Sequence, residues 1–124
     1  MISPTQRTLL ALRKRGCLAA VVEKWNPHAK RTDGGLGLRM DLFGFGDILA
    51  VEPDAPGALL VQCARTDDAA TRIAKIRSPK VWAKAQRWLA AGNRIAVMTW
   101  AVRWGTDKRR RWTLKVEAVR LEED

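Results

Sequence analysis

Gly44-Phe45-Gly46-Asp47-Ile48-Leu49-Ala50-Val51, followed after a short turn by Leu59-Leu60-Val61-Gln62-Cys63-Ala64, is the pair of segments on which the fold is read. Both have the composition of buried strands. The first carries an acid at its mouth, Asp47, and the second an amide in its middle, Gln62. A polar side chain among Leu, Val and Ile costs free energy unless it has a partner. Two of them on neighbouring strands suggest a site. Pro53-Asp54-Ala55-Pro56-Gly57 between the strands is turn-forming.

Working outward toward the N-terminus, Ser3, Pro4 and Gln6 form the start signal of a helix: a cap, a proline at the first position and a capping box. Leu9, Leu10 and Leu12 are its apolar residues, Arg13-Lys14-Arg15 suits its negative end, and Gly16 stops it. Cys17 to Trp25 reads as a strand that Asn26-Pro27 breaks. Residues 26–38 read as a loop, and Met40 to Glu52 as a second strand bent at Gly44 or Gly46.

Toward the C-terminus, Thr66-Asp67-Asp68 caps a helix with Ala69, Ala70, Ile73 and Ile76 inside. Ser78-Pro79 stops it and starts another, marked by Trp82, Ala85 and Leu89 and closed by Gly92. Arg94 to Trp104 and Arg111 to Leu121 are strands joined by Gly105-Thr106-Asp107-Lys108. The order predicts one α/β domain over residues 1–121, a central mixed sheet flanked by helices with a C-terminal β-hairpin, and a frayed acidic tail at 122–124.

At 124 residues the chain has room for one core. No apolar run is long enough to cross a bilayer, so no membrane partner is expected. Cys17 and Cys63 lie in apolar stretches and read as buried thiols of a reduced, cytoplasmic protein. With one histidine and two distant cysteines there is no zinc pattern, and nothing calls for a small-molecule cofactor.

The formal net charge of +10, from 23 basic and 13 acidic residues, points to a polyanionic partner, nucleic acid before an anionic surface. Arg72, Lys75 and Arg77 lie on or near the second helix; Lys80, Lys84 and Arg87 recur on the third; Lys108-Arg109-Arg110-Arg111 sits on the hairpin turn. Between Asp68 and Asp107 there is no acid at all, which marks a phosphate-binding face rather than a solvated helix of mixed sign. Of the six tryptophans, Trp82, Trp88 and Trp100 belong to the core by their neighbours. Trp104 and Trp112 flank the basic hairpin and are placed to pair across it, and Trp25 or Trp104 is available for stacking on bases.

The carboxylate of Asp47, the amide oxygen of Gln62 and the backbone carbonyl of Cys63 form a donor set for one hard cation, Mg²⁺ or Mn²⁺. A cation there serves phosphodiester hydrolysis. The competing readings are a turn aspartate after Gly46 and a core glutamine bonded to a loop carbonyl. Asp41 is either a second ligand or, in the favoured reading, a charge at a strand's start.

Gly46-Asp47-Ile48-Leu49-Ala50 and Val61-Gln62-Cys63-Ala64, set in the order helix, strand, strand, strand, helix, resemble the two halves of the motif of the PD-(D/E)XK nuclease superfamily. Within it the likeness is to the Holliday-junction-resolvase-like endonucleases of archaea, bacteria and phages, and spans residues 4–104. Gly46 stands for the proline, Gln62 for the second acid, and Ala64 where the family has its lysine. The resemblance implies a restriction-endonuclease-like core, a metal-dependent endodeoxyribonuclease acting on DNA, branched DNA included, and a homodimer. It also implies an N-terminal acid at the site, for which Glu23 is the candidate, and a substitute lysine, for which Lys24 is taken over Lys75 of the following helix. The alternatives are a catalytically inactive nucleic-acid-binding protein on the same fold and an unrelated basic RNA-binding α/β domain.

Overall fold

Ser3 lies in extended conformation and its hydroxyl accepts a hydrogen bond from the Gln6 backbone N–H at 3.2 Å, so helix α1, Pro4–Lys14, begins where its cap and proline place it. Gly16, at φ +88°, turns the chain out of the helix. The computed structural model describes residues 2–65 and 68–121. After α1 come strands β1 (Leu18–Val21), β2 (Lys24–Lys30), β3 (Leu36–Met40), β4 (Ile48–Val51) and β5 (Leu59–Arg65). Helices α2 (Ala69–Ile76) and α3 (Pro79–Ala90) then lead to β6 (Arg94–Trp104) and β7 (Arg110–Val119).

Five strands form one mixed sheet in the order β1-β4-β5-β6-β7. Every neighbour pair is antiparallel except β5–β6, whose parallel pairing requires the α2–α3 crossover. Leu59 to Ala64 are all buried, as a central strand covered on both faces demands. Alternation sorts the core. Ile48, Ala50, Val61 and Met98 pack with Leu9 and Leu12 of α1 on one face. Leu60, Ile95 and Val97 pack with Ile76 of α2 and Ala85 of α3 on the other. The α/β class, the flanking helices and the β6–β7 hairpin are those expected from the residue pattern.

The region between β1 and β4 departs from the expectation. The strand beginning near Cys17 ends at Val21, and residues 26–38 are not a loop but most of a two-stranded ribbon, β2–β3. Pro27 does not break β2, because the register slips between Asn26 and Lys30 and no ladder bond is asked of the proline. The strand expected over Met40 to Glu52 is likewise two: β3 ends at Met40, and β4 starts only at Ile48. Between them Leu42 and Gly46 bond each other's backbones across a tight turn in which Phe43 (φ 57°) and Gly44 (φ 86°) are left-handed. Asp68 holds the N-cap position of α2 but makes no side-chain cap bond; Thr66, Asp67 and the 122–124 tail lie outside the described residues. No described helix is long and apolar enough to cross a membrane.

Candidate metal and nucleic-acid site

Asp47 enters β4 on the face that carries Leu49, and Gln62 lies in β5 on the face that carries Leu60, so both point to the α2–α3 side. Both are buried, at 4% and 2% exposure. Gln62 Nε2 donates to Asp47 Oδ2 at 2.8 Å, and the Cys63 backbone N–H donates to the same oxygen at 2.9 Å. A strand residue turns its N–H and C=O toward the same neighbour, so the Cys63 carbonyl also faces this side of the ladder. The opening pair is thus one hydrogen-bonded unit.

Gly46 shapes its approach. A Cβ there would lie 2.4 Å from Leu60 Cδ1, so only glycine lets the chain run this close to β5 before Asp47.

Two more acids join the unit. Glu23 stands on the connection between β1 and β2 rather than late in the first strand, and Asp41 stands just after β3. One carboxylate oxygen from each of Glu23, Asp41 and Asp47 lies within 4.8 Å of the others. Burial pushes the Asp47 carboxyl up to about 8; the Cys63 N–H pulls it down, and Asp41 and then Glu23 push it up again. Three carboxylates and an amide are a hard-oxygen donor set, suited to Mg²⁺ or Mn²⁺. Gln62 Oε1 is buried without a hydrogen-bond partner, an acceptor still to be satisfied at the same place. The residues therefore fit a divalent cation, which Asp47, Asp41 and Glu23 could hold with Gln62 and the Cys63 carbonyl at hand. The Cys63 thiol takes no part: burial pushes it up to about 12, which keeps it protonated.

The cluster opens into a groove of about 900 Å³. Besides the acids, Arg39, Arg65, Arg72, Lys75 and Lys84 line it. Lys75 Nζ is 3.5 Å from Asp41 Oδ2, and Arg39 Nη1 is 3.6 Å from Glu23 Oε1. Ala64 is buried and offers no charge at the position expected to hold a lysine; Lys75 of α2 reaches Asp41 instead. Lys24, the other candidate, sits exposed on β2 opposite Met40 and does not line the groove.

The remaining basic residues divide. Arg77 lies with its guanidinium 4.6 Å over Trp82 and donates to the Arg120 carbonyl, and Arg87 lines a separate hollow beside Trp88. Lys80 is exposed on α3. Lys108, Arg109, Arg110 and Arg111 lie where β6 runs beyond its pairing with the end of β5, so the hairpin projects at the same end of the sheet as the acids. Arg111 is paired with Asp107, which holds that carboxyl low and the guanidinium high. Trp112 faces Val102 and Trp104 faces Arg110, so the two indoles are not cross-strand partners as expected; Arg7 lies 4.3 Å over Trp112 instead.

Asp41 is the site residue that the sequence pattern undervalued. Its one signal was an even spacing from Asp47, and the turn at Leu42–Gly46, not a continuous strand, is what brings it in. Comparison with family models, with curated proteins and with solved structures returned no match, so the geometry carries the functional reading.

Proposed function

We propose that this protein is a metal-dependent endonuclease-like DNA-binding protein that hydrolyses phosphodiester bonds. One observation carries the reading. Glu23, Asp41 and Asp47 converge beside an unsatisfied Gln62 oxygen, in a groove whose other charged walls are predominantly basic. A purely cationic groove would serve binding alone; an acid cluster inside one repels phosphate unless a cation lies between.

A divalent cation supplies Lewis acidity, offsetting phosphodiester charge and lowering the pKa of water. The chain's own residues do the rest. Asp47, Asp41 and Glu23 hold the cation. Gln62 and the Cys63 N–H fix the Asp47 carboxylate in one orientation, as supporting shells do at metal sites. Lys75 stands where it can meet a phosphate oxygen or steady the attacking water, the task of the lysine absent at Ala64. Arg72, Arg65 and Lys84 offer phosphate contacts that position the strand without reading its bases.

The test is cleavage of branched, flapped, linear and single-stranded DNA in Mg²⁺ or Mn²⁺, with Asp47→Asn and Lys75→Ala beside the unaltered chain. Metal-dependent cutting lost in Asp47→Asn and reduced roughly 10- to 100-fold in Lys75→Ala, the usual loss for a partner of a metal ligand, is the expected result. Cutting that survives Asp47→Asn would reject the site. Salt-sensitive binding with no cutting under any metal would leave a binding protein and reject the reaction.

A further inference from the structure

We propose that the β2–β3 ribbon is an arm that grips the DNA lying over the acid cluster, setting cations on phosphates and apolar side chains on bases. The inference rests on the nuclease-like reading and names the element that holds its substrate.

The ribbon makes no extensive contact with any other described element. A two-stranded hairpin alone in water is marginal, so one that stands apart from its own core has its apolar side chains to spare. Trp25 is 60% exposed, and Leu36, Leu38 and Met40 line up along one face of β3 with 63%, 43% and 50% exposure. On the opposite face Trp25 lies across Gly37, where a Cβ would come within 2.4 Å of the indole. The glycine thus makes room for a flat aromatic surface held on the ribbon rather than a loose side chain.

The charge is complementary to a phosphate backbone. Lys24, Lys30, Arg31 and Arg39 are all exposed; Arg31 pairs with Asp33, the one acid within the ribbon, and Arg39 with Glu23 at its foot, which leaves Lys24 and Lys30 as the cations of the arm itself. Asp33 accepts from Arg31 Nε at 3.1 Å and from the Gly35 N–H at 2.8 Å, so it shapes the tip. These bonds hold its carboxyl below the usual range.

Placement completes the argument. Glu23 immediately precedes β2 and Asp41 immediately follows β3, so the arm is rooted at both ends in the acid cluster. Leu38, Arg39 and Met40 line the groove itself. A phosphodiester at the acids lies at the foot of the arm, and a two-stranded ribbon has the width to enter a duplex groove. Lys24, which is exposed and does not line the groove, becomes on this view a phosphate contact.

The experiment uses the full chain carrying Asp47→Asn, so that DNA stays intact, and measures binding to a labelled duplex and a four-way junction across salt. Adding Lys24→Gln with Lys30→Gln is expected to weaken binding roughly tenfold and to lower the salt slope by about 2, from about 0.9 per phosphate contact. In the same assay on a labelled single strand, adding Trp25→Ala is expected to weaken binding roughly tenfold through lost stacking. All three side chains are exposed, and Cys17 and Cys63 are buried, so a photo-crosslinker on Leu36→Cys reads the tip alone and should capture DNA. Wild-type affinity in both sets of variants, with no crosslink, in a chain that still binds DNA would overturn the arm and leave the nuclease-like reading standing. A chain that binds no DNA at all overturns both. Unchanged DNA binding with a dimer-to-monomer shift in Trp25→Ala would assign the arm to a second copy instead.

Discussion

At one end of the β4–β5 ladder Glu52 meets the Arg94 guanidinium; at the other Asp47 meets Asp41 and Glu23. The two ends belong to the same strands and are a few residues apart, yet their surroundings differ in kind. Glu52 and Arg94 are an opposite-charge pair, each about one-third exposed, at the rim of a largely apolar cavity of about 620 Å³. Asp47 is buried among like charges, and its hydrogen-bond donors are a neutral amide and a backbone N–H. The first arrangement pairs one charge with another, although Arg94 Nε and Nη2 are buried without hydrogen-bond partners. The second is costly to the metal-free protein, a cost that a bound cation would turn into affinity.

The sharpest break between the two ends should come in activity. In Mg²⁺ or Mn²⁺, Asp47→Asn is expected to lower DNA cleavage by more than about 100-fold, beyond the usual loss for a ligand's supporting shell. Glu52→Gln should leave cleavage within about threefold, as suits the loss of a partly exposed pair far from the chemistry. Equal losses from both, in a steady-state cleavage assay, would erase the distinction.

Stability against pH comes next. A carboxyl raised from 3.8 to about 8 on folding favours the protonated form in the folded state. Its contribution is complete below the unfolded value near 4 and is lost as pH rises through about 8. Metal-free protein should therefore lose stability, on the order of a few kcal/mol, between pH 4 and pH 8, and Asp47→Asn should flatten that slope. Thermal or urea melts in chelator read it directly. Added Mg²⁺ should restore stability at pH 8 to the unaltered chain and not to the variant.

Packing beneath the site should matter less but measurably. Gly46→Ala sets a methyl 2.4 Å from the fully buried Leu60 side chain, and overpacking of this kind costs about 1–3 kcal/mol. A urea melt with unchanged midpoint would show that β4 can retreat. The smallest effect belongs to the paired end: Glu52→Gln should cost no more than about 1 kcal/mol and fade further in salt.

Much of the scaffold was legible because its signals are local. Ser3, Pro4 and Gln6 act within one turn of α1, Ser78-Pro79 separates two helices by backbone chemistry, and Arg94–Trp104 is a long apolar strand with few alternatives. The β2–β3 ribbon was not legible. Asn26-Pro27 is a breaker in most strands, and it is absorbed here by a register slip that the residue pattern does not announce. Half of the site was legible in Asp47 and Gln62, since each is a polar residue in an apolar strand. Asp41 was not, because a left-handed turn at Phe43–Gly44 decides where it points. The lysine was misassigned to Lys24, with Lys75 the second choice, because only the packing of α2 beside β5 brings Lys75 to Asp41.

The helix caps, the central strand, the α/β order and a basic surface with one acid–amide pair out of place are all local properties of the chain. Those follow from interactions that reach four residues or fewer along the chain, or from simple counts of charge. Tertiary structure alone decided that Glu23, Asp41 and Asp47 share one point in space and that Lys75 stands beside them. Strand register and the turn that closes the ribbon set those distances, and neither is written in the spacing of the residues concerned.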